Sequence, residues 1–198
     1  MKLVQGRNCL AVMQNDEILF VHSDIVPFLT LTSKEGKKDV LCPLPSCEVD
    51  LFEEKKASLI FSNGERRVKA DLIEKNDVVN MTLDGASEKF FFFVHAKKGE
   101  TILGKGINEE NLKGKKYLSS SKTKIPAAWE VALFGNEKRK IKDLIPVYYG
   151  DGYGVKVDGK VEELDFTSDL STKITCKNFK SLTIAISRNK DEIRNALQ

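Results

Sequence analysis

The stretch that decides the fold is residues 57–74, ASLIFSNGERRVKADLIE. Its two apolar runs are separated by Asn63-Gly64. An Asn-Gly pair in that position favours a type I′ hairpin turn, because both residues tolerate positive φ. From Val68 to Leu72 every second residue is apolar, which is the period of a strand with one buried face. The stretch therefore predicts a β-hairpin whose second strand packs one face on a core.

Two further residue pairs, Asn15-Asp16 and Asp158-Gly159, also separate short apolar runs. Both predict hairpins of the same kind. Pro27 lies in the run that follows the first hairpin and predicts an edge strand there, because proline lacks the N–H that a central strand donates. The chain is therefore expected to consist mainly of antiparallel strands.

Four consecutive aromatic residues, Phe90 to Phe93, put bulk on both faces of one strand. A central strand covered on both sides is the favoured interpretation. An exposed aromatic platform for a partner or for nucleic-acid bases is the alternative.

These patterns predict a mainly β protein with two small antiparallel sandwich-like or barrel-like domains and a short C-terminal helix. Asn189 is the expected cap of that helix, within residues 188–198. The predicted division is an N-terminal β-domain at 1–104, a basic connector at 105–125, and a smaller β-rich domain at 126–198 that ends in the helix.

The composition is that of a folded, well-solvated chain: 41% of its 198 residues are apolar and 31% are charged. No run of about 18 apolar residues is present, and the N-terminal apolar run is too short for a signal peptide. We therefore expect a soluble protein with no membrane partner, located in the cytoplasm, with the nucleus as the alternative.

Residue types suited to catalysis or metal binding are scattered along the sequence. The four cysteines match neither a disulfide framework nor the paired spacing of a zinc site, so no metal and no cofactor are expected. Phosphate-binding glycine loops and a Gly-x-Ser-x-Gly elbow are absent. His22 and His95 are the only histidines, each at the end of an apolar strand, where a structural role is favoured. No catalytic residue is assigned, and the sequence leans against an enzyme.

Charge is distributed unevenly although the net charge is only +3. The segment 105–142 contains ten basic and four acidic residues. A basic loop beside aromatic rings is how many β-barrel proteins hold single-stranded nucleic acid, with phosphates on lysines and bases on rings. The candidate nucleic-acid-binding residues are Lys113, Lys115, Lys116, Tyr117, Lys122, Lys124, Lys138, Arg139, Lys140, Tyr148 and Tyr149.

The favoured function is a non-enzymatic binding or assembly module that acts through protein–protein contacts, since strand edges and aromatic faces suit partner recognition. A protein partner is expected, and an oligomer is compatible with this role. The first alternative is a module that binds single-stranded nucleic acid without sequence specificity through residues 105–142. The second is a hydrolase or transferase that uses carboxylates brought together in a pocket.

Overall fold

A computed structural model describes residues 1–35, 38–84, 89–104, 111–119, 138–141 and 144–198. In these residues the chain forms sixteen strands and one short helix. The elements in chain order are β1 (Lys2–Gln5), β2 (Cys9–Gln14), β3 (Glu17–Ser23), β4 (Leu29–Glu35), β5 (Lys38–Pro43), β6 (Ser46–Glu53), β7 (Lys56–Ser62), β8 (Arg67–Lys75), β9 (Val78–Asp84), β10 (Lys89–His95), β11 (Leu103–Gly104), β12 (Lys116–Ser119), β13 (Lys138–Ile141), β14 (Val147–Tyr149), β15 (Tyr153–Asp165), β16 (Ser171–Ile186) and α1 (Lys190–Ala196).

The strands form two sheets. The small one is antiparallel in the order β1-β2-β3. The large one has thirteen strands and follows the path β11-β14-β15-β16-β9-β8-β7-β6, while β10 bridges β16 and β4, β5 pairs with β4, and β12 joins β15 to β13. The large sheet curls into a half-barrel, and the predicted mainly β, barrel-like fold with a C-terminal helix is confirmed.

The hydrophobic core joins the two sheets through aromatic side chains. Phe20 of β3 stacks on Phe28 with ring centroids 3.9 Å apart. Phe28 in turn lies 5.5 Å from Phe61 of β7 and 5.8 Å from Phe92 of β10. All four rings are buried. Burying side chains of this size is the main stabilising contribution to a core, so the small sheet is an integral part of the fold.

The phenylalanine-rich strand β10 is central, because it pairs with β16 on one side and β4 on the other. Phe90 and Phe92 are fully buried. Phe91 on the opposite face is half-buried and lies under the Lys173 ammonium, which is 4.4 Å from the ring centroid. The predicted central position is confirmed, but cover on both sides is not, because only the face that carries Phe90 and Phe92 is fully buried.

The turn predictions had mixed outcomes. Asn15 and Asp16 have φ of 48° and 62° and connect β2 to β3, as predicted. The hairpin at residues 57–74 is confirmed, but its type I′ turn is wrong. Its loop has four residues, and Asn63 is absent from the positive-φ residues. The Asn63 Oδ1 instead accepts hydrogen bonds from the backbone N–H groups of Glu65 and Arg66, at 3.2 and 2.8 Å.

Two other expectations are corrected. Asp158-Gly159 is not a hairpin, because β15 continues through it and pairs with β16 on both sides of a bulge between Asp158 and Lys160. Pro27 precedes β4 and lies outside it. Since β4 pairs with both β5 and β10, it is not the edge strand that Pro27 predicted.

The predicted C-terminal helix is confirmed as α1. Its cap is Asn189, whose side chain accepts a hydrogen bond from the Asp191 N–H at 3.0 Å. Gly154 on β15 makes its packing possible, because a Cβ there would overlap Ile193 and lie 2.6 Å from the Leu197 Cδ1. In the described ranges no helix is long and apolar enough to cross a membrane.

Strands from both predicted domains pair within the large sheet. β16 lies C-terminal to the predicted connector and pairs with β9 and β10, which precede it. Most of the connector, 105–110 and 120–125, lies outside the described residues. Its described part includes β12, which pairs with β15. The domain boundaries stay a prediction.

Candidate functional site

The most distinctive surface is formed by β6, an eight-residue strand at the end of the large sheet. Among the described residues it pairs only with β7, so one side of its backbone is unpaired. Three large apolar side chains on this strand are exposed: Val49 by 44%, Leu51 by 42% and Phe52 by 47%. An exposed apolar edge is unusual, because natural proteins generally blunt or cover such edges.

A bulge between Val49 and Leu51 distributes these side chains over both faces of β6. Val49 and Phe52 pair with Leu59 and Ala57 of β7, which belong to the hydrophobic core, and therefore point to the core side of the sheet. Leu51 pairs with Ser58 and points to the outer side. The extra residue at the bulge is Asp50, whose carboxylate lies 3.0 Å from the Lys69 ammonium. The edge is therefore apolar on both faces at this point.

A cleft of about 540 Å³ adjoins the beginning of β6. One wall is the β1–β2 turn, residues 5–10, and the other is the segment from Pro45 to Val49. Cys47 faces inward and Glu48 outward, and both line the cleft together with Val49. Because residues from both faces line it, the cleft runs along the edge of the strand.

His22 lies on the cleft and has a structural role. Its Nδ1 accepts a hydrogen bond from the Phe28 N–H at 3.2 Å, which leaves Nε2 to donate to the Pro45 carbonyl at 2.9 Å. Burial lowers the pKa of the ring below its usual range, and the Pro45 bond and Asp24 offset this only in part. Both nitrogens are thus occupied, so His22 cannot serve as a general base without breaking these contacts.

Other chemistry in the cleft is equally limited. Burial, reinforced by Glu48, raises the pKa of the Cys47 thiol to about 12, so it carries no nucleophilic thiolate at neutral pH. Asp24 and Glu48 line the cleft but are both solvent-exposed, whereas acid/base pairs require a secluded setting. No group of three or more metal-ligating side chains occurs in the part of the chain that the structure describes.

The tyrosines of the predicted nucleic-acid site lie mostly inside the protein. Tyr117 and Tyr148 are fully buried, and each packs edge-on against Phe166. Tyr149 is half-buried and packs in a small cluster with Val147 of β14 and residues of α1. Neither Tyr117 nor Tyr148 offers a ring on which a base can stack in this structure.

The basic residues of that site are spread over several elements. The Lys116 ammonium forms ion pairs of 3.0 Å with Glu163 and 3.2 Å with Asp165. Lys113 donates to the Asp169 carbonyl at 3.0 Å. Lys115 is half-buried. Of the remaining residues, Lys122 and Lys124 lie outside the described part, and Lys138, Arg139 and Lys140 form β13, with only their backbone described. Nucleic-acid binding therefore stays a prediction.

A buried carboxylate that the sequence did not single out lies elsewhere, beside the turn between β14 and β15, which contains Gly150 and Gly152. Glu100 is only 4% exposed. Its oxygens accept hydrogen bonds from the Lys97 N–H at 2.7 Å, the Tyr153 hydroxyl at 2.8 Å and the Asp151 N–H at 3.1 Å. Burial raises the pKa of Tyr153 far above its usual value, which keeps its hydroxyl a donor. Glu100 thus fastens the turn at Gly150 to the connection after β10.

The comparisons with known proteins show a similarity of fold to a solved structure and no relationship to a known family. No family model and no curated protein matches the chain. Among solved structures, a GH31 family sulfoquinovosidase from E. rectale, in complex with an aza-sugar inhibitor, is similar to 94% of the chain with a TM-score of 0.67 and 15% sequence identity. The chain spans 32% of that protein. A glycoside hydrolase family 81 protein from Clostridium thermocellum has a TM-score of 0.37 at 11% identity, covering 98% of this chain and 20% of its own.

Proposed function

We propose that the chain is a non-enzymatic binding or assembly module that acts through contacts with another protein. The observation that carries this proposal is the β6 edge, where Val49, Leu51 and Phe52 are exposed along a strand whose second side is unpaired in the described part of the chain. Large apolar side chains exposed on both faces of one strand edge suit a protein–protein contact, since water is released when a partner covers them.

The cleft supports the same proposal, because its chemistry suits recognition better than catalysis. His22 uses both ring nitrogens to hold neighbouring backbone, and the Cys47 thiol is protonated. The similarity to the sulfoquinovosidase is one of fold alone. There the fold accounts for about a third of a longer chain, which is compatible with a β-module that operates beside other protein structure.

The test compares association of the unmodified protein with that of a double variant, Leu51→Glu/Phe52→Glu. Light scattering after size exclusion reports self-association, and quantitative co-purification reports partner proteins. We expect a partner protein to co-purify with the unmodified protein in a nearly one-to-one ratio. The amount of this partner that co-purifies with the double variant should be lower by about tenfold or more.

Leu170→Glu is the matched control, because Leu170 is 59% exposed and lies between β15 and β16, away from the β6 edge. It should retain the partner. Circular dichroism establishes that all variants are folded. The proposal is contradicted if the unmodified protein is strictly monomeric and no other protein co-purifies with it. If the double variant retains as much partner protein as the unmodified protein, the β6 edge is not the contact site.

A further inference from the structure

The edge of β6 that no described strand pairs with is suited to one particular mode of recognition, strand addition. This step rests on the proposed function and specifies the partner of the same surface. An edge strand presents a row of outward N–H and C=O groups, which an extended peptide can pair with. At eight residues β6 is longer than a typical strand, so its edge presents main-chain N–H and C=O groups on both sides of the bulge at Asp50.

The charges on β6 favour a basic partner. The strand contains Glu48, Asp50 and Glu53 and no basic residue. Asp50 is already paired with Lys69. Glu48 and Glu53 are exposed and take part in no ion pair within the described ranges. Both lie on the outer face, where Glu53 already has Lys56 of β7 across from it and Glu48 has the apolar Ile60. Opposite charges directly across from each other stabilise paired strands, and like charges destabilise them.

The inner face of β6 favours apolar side chains on the same partner. Val49 and Phe52 point to the core side but remain 44% and 47% exposed, because the core ends at this strand. An added strand would extend the sheet, and its inward side chains would cover both residues. The side chains of a strand alternate between faces, so one peptide can be basic outside and apolar inside.

A second copy of this chain fits the edge poorly, since β6 against β6 would place acidic side chains opposite acidic ones. A nucleic acid is disfavoured for the same reason. We therefore propose that β6 receives an extended segment of another protein as an additional strand, basic on its outer face and apolar on its inner face. The cleft continues this edge at Cys47 to Val49 and is positioned to hold the end of the segment.

The probes are two end-blocked, fluorescein-labelled peptides of eight residues, the length of β6. One alternates lysine with valine and the other glutamate with valine. Fluorescence anisotropy at about 50 and about 300 mM NaCl measures affinity and its salt dependence. Amide hydrogen exchange locates the binding site. We expect the lysine peptide to bind about tenfold or more tightly than the glutamate peptide, and the β6 amides to gain protection.

Charge reversal provides the decisive variant. Glu48→Lys/Glu53→Lys should switch the preference to the glutamate peptide, a reversal that misfolding cannot produce. Glu65→Lys in the β7–β8 turn is the matched control and should leave the preference unchanged, because this exposed residue lies away from β6. Absence of binding by either peptide, an unchanged preference in the double variant, or protection outside β6 overturns strand addition. If the partner protein is lost in Leu51→Glu/Phe52→Glu while the unmodified protein binds the lysine and glutamate peptides equally well, the proposed function stands and this inference fails.

Discussion

Replacing Glu100 should reveal how much one buried carboxylate contributes to stability. Two of its three hydrogen bonds, from the Asp151 N–H and the Tyr153 hydroxyl, connect the segment after β10 to the turn before β15 and to the first residue of β15, and the third, from the Lys97 N–H, lies within that segment. A bond to a charged acceptor contributes about 1.5–3 kcal/mol, and a buried donor left without a partner costs about 1–3 kcal/mol. These contributions are not additive, and water can reach part of a cavity left by alanine. We therefore expect Glu100→Ala to lower the free energy of unfolding by about 3–5 kcal/mol.

Glu100→Gln tests the loss of the charge and of one acceptor oxygen while the volume of the side chain is kept. Glutamine has a similar size but brings an NH₂ group against one of the three donors, so we expect an intermediate loss of about 1–3 kcal/mol. The assay is urea unfolding followed by circular dichroism, with slopes compared to verify that each variant unfolds in the same way. Glu53→Ala, at an exposed position on β6, is the control and should stay within about 0.5 kcal/mol of the parent. A loss below about 1 kcal/mol for Glu100→Ala would refute the reasoning.

Acid should destabilise the protein through His22, whose pKa burial lowers in the folded state. The unfolded chain then takes up the proton first, so stability present above about pH 6.5 is lost as the pH falls. Between about pH 7.5 and about pH 5.5 the unfolding free energy should therefore drop less in His22→Asn than in the unmodified protein. Part of the pH dependence should remain in this variant, because burial also lowers the pKa of His95. Gly154→Ala should cost about 1–3 kcal/mol through overlap with α1, and Ile193→Ala should partly relieve that cost in a double-mutant cycle measured by urea unfolding. If the segment 105–142 binds nucleic acid, a single-stranded oligonucleotide should bind at about 50 mM salt and dissociate as salt rises; no salt-sensitive binding in an anisotropy titration removes that alternative.

The sequence predicted correctly those elements whose conformation is determined by residues close together in the chain. Asn189 caps α1 because its side chain reaches an N–H two residues away, and Asn15-Asp16 closes a hairpin whose two strands are adjacent in sequence. Asp158-Gly159 looked equivalent but forms a bulge. The difference lies in β16, which pairs with β15 on both sides of Gly159 and keeps the chain extended. The residues close to Gly159 in sequence do not show that β16 pairs with β15 on both sides of it.

The candidate site was less predictable for the same reason. The alternation in residues 48–52 was visible, but whether a strand lies at an edge depends on the pairing order of the whole sheet. Pro27 pointed to the wrong strand, since it stands before β4 and leaves the N–H groups of that strand free to pair. The buried rings of Tyr117 and Tyr148 could not be told from surface rings, because burial is decided by Phe166 and other distant residues.

The position of β16 has a consequence for how the chain is synthesised. Its Leu182 pairs with Met81 of β9, and its Cys176 pairs with Phe90 of β10, so these two strands find their neighbour only after the long segment between them and β16 has been translated. Until then β9 and β10 each lack one of the strands they pair with, and unsatisfied apolar strands are prone to intermolecular association. Such long separations also slow folding. During translation the nascent chain should therefore depend on chaperones that shield β10 until β16 leaves the ribosome, and fragments ending before Ser171 should accumulate as aggregates.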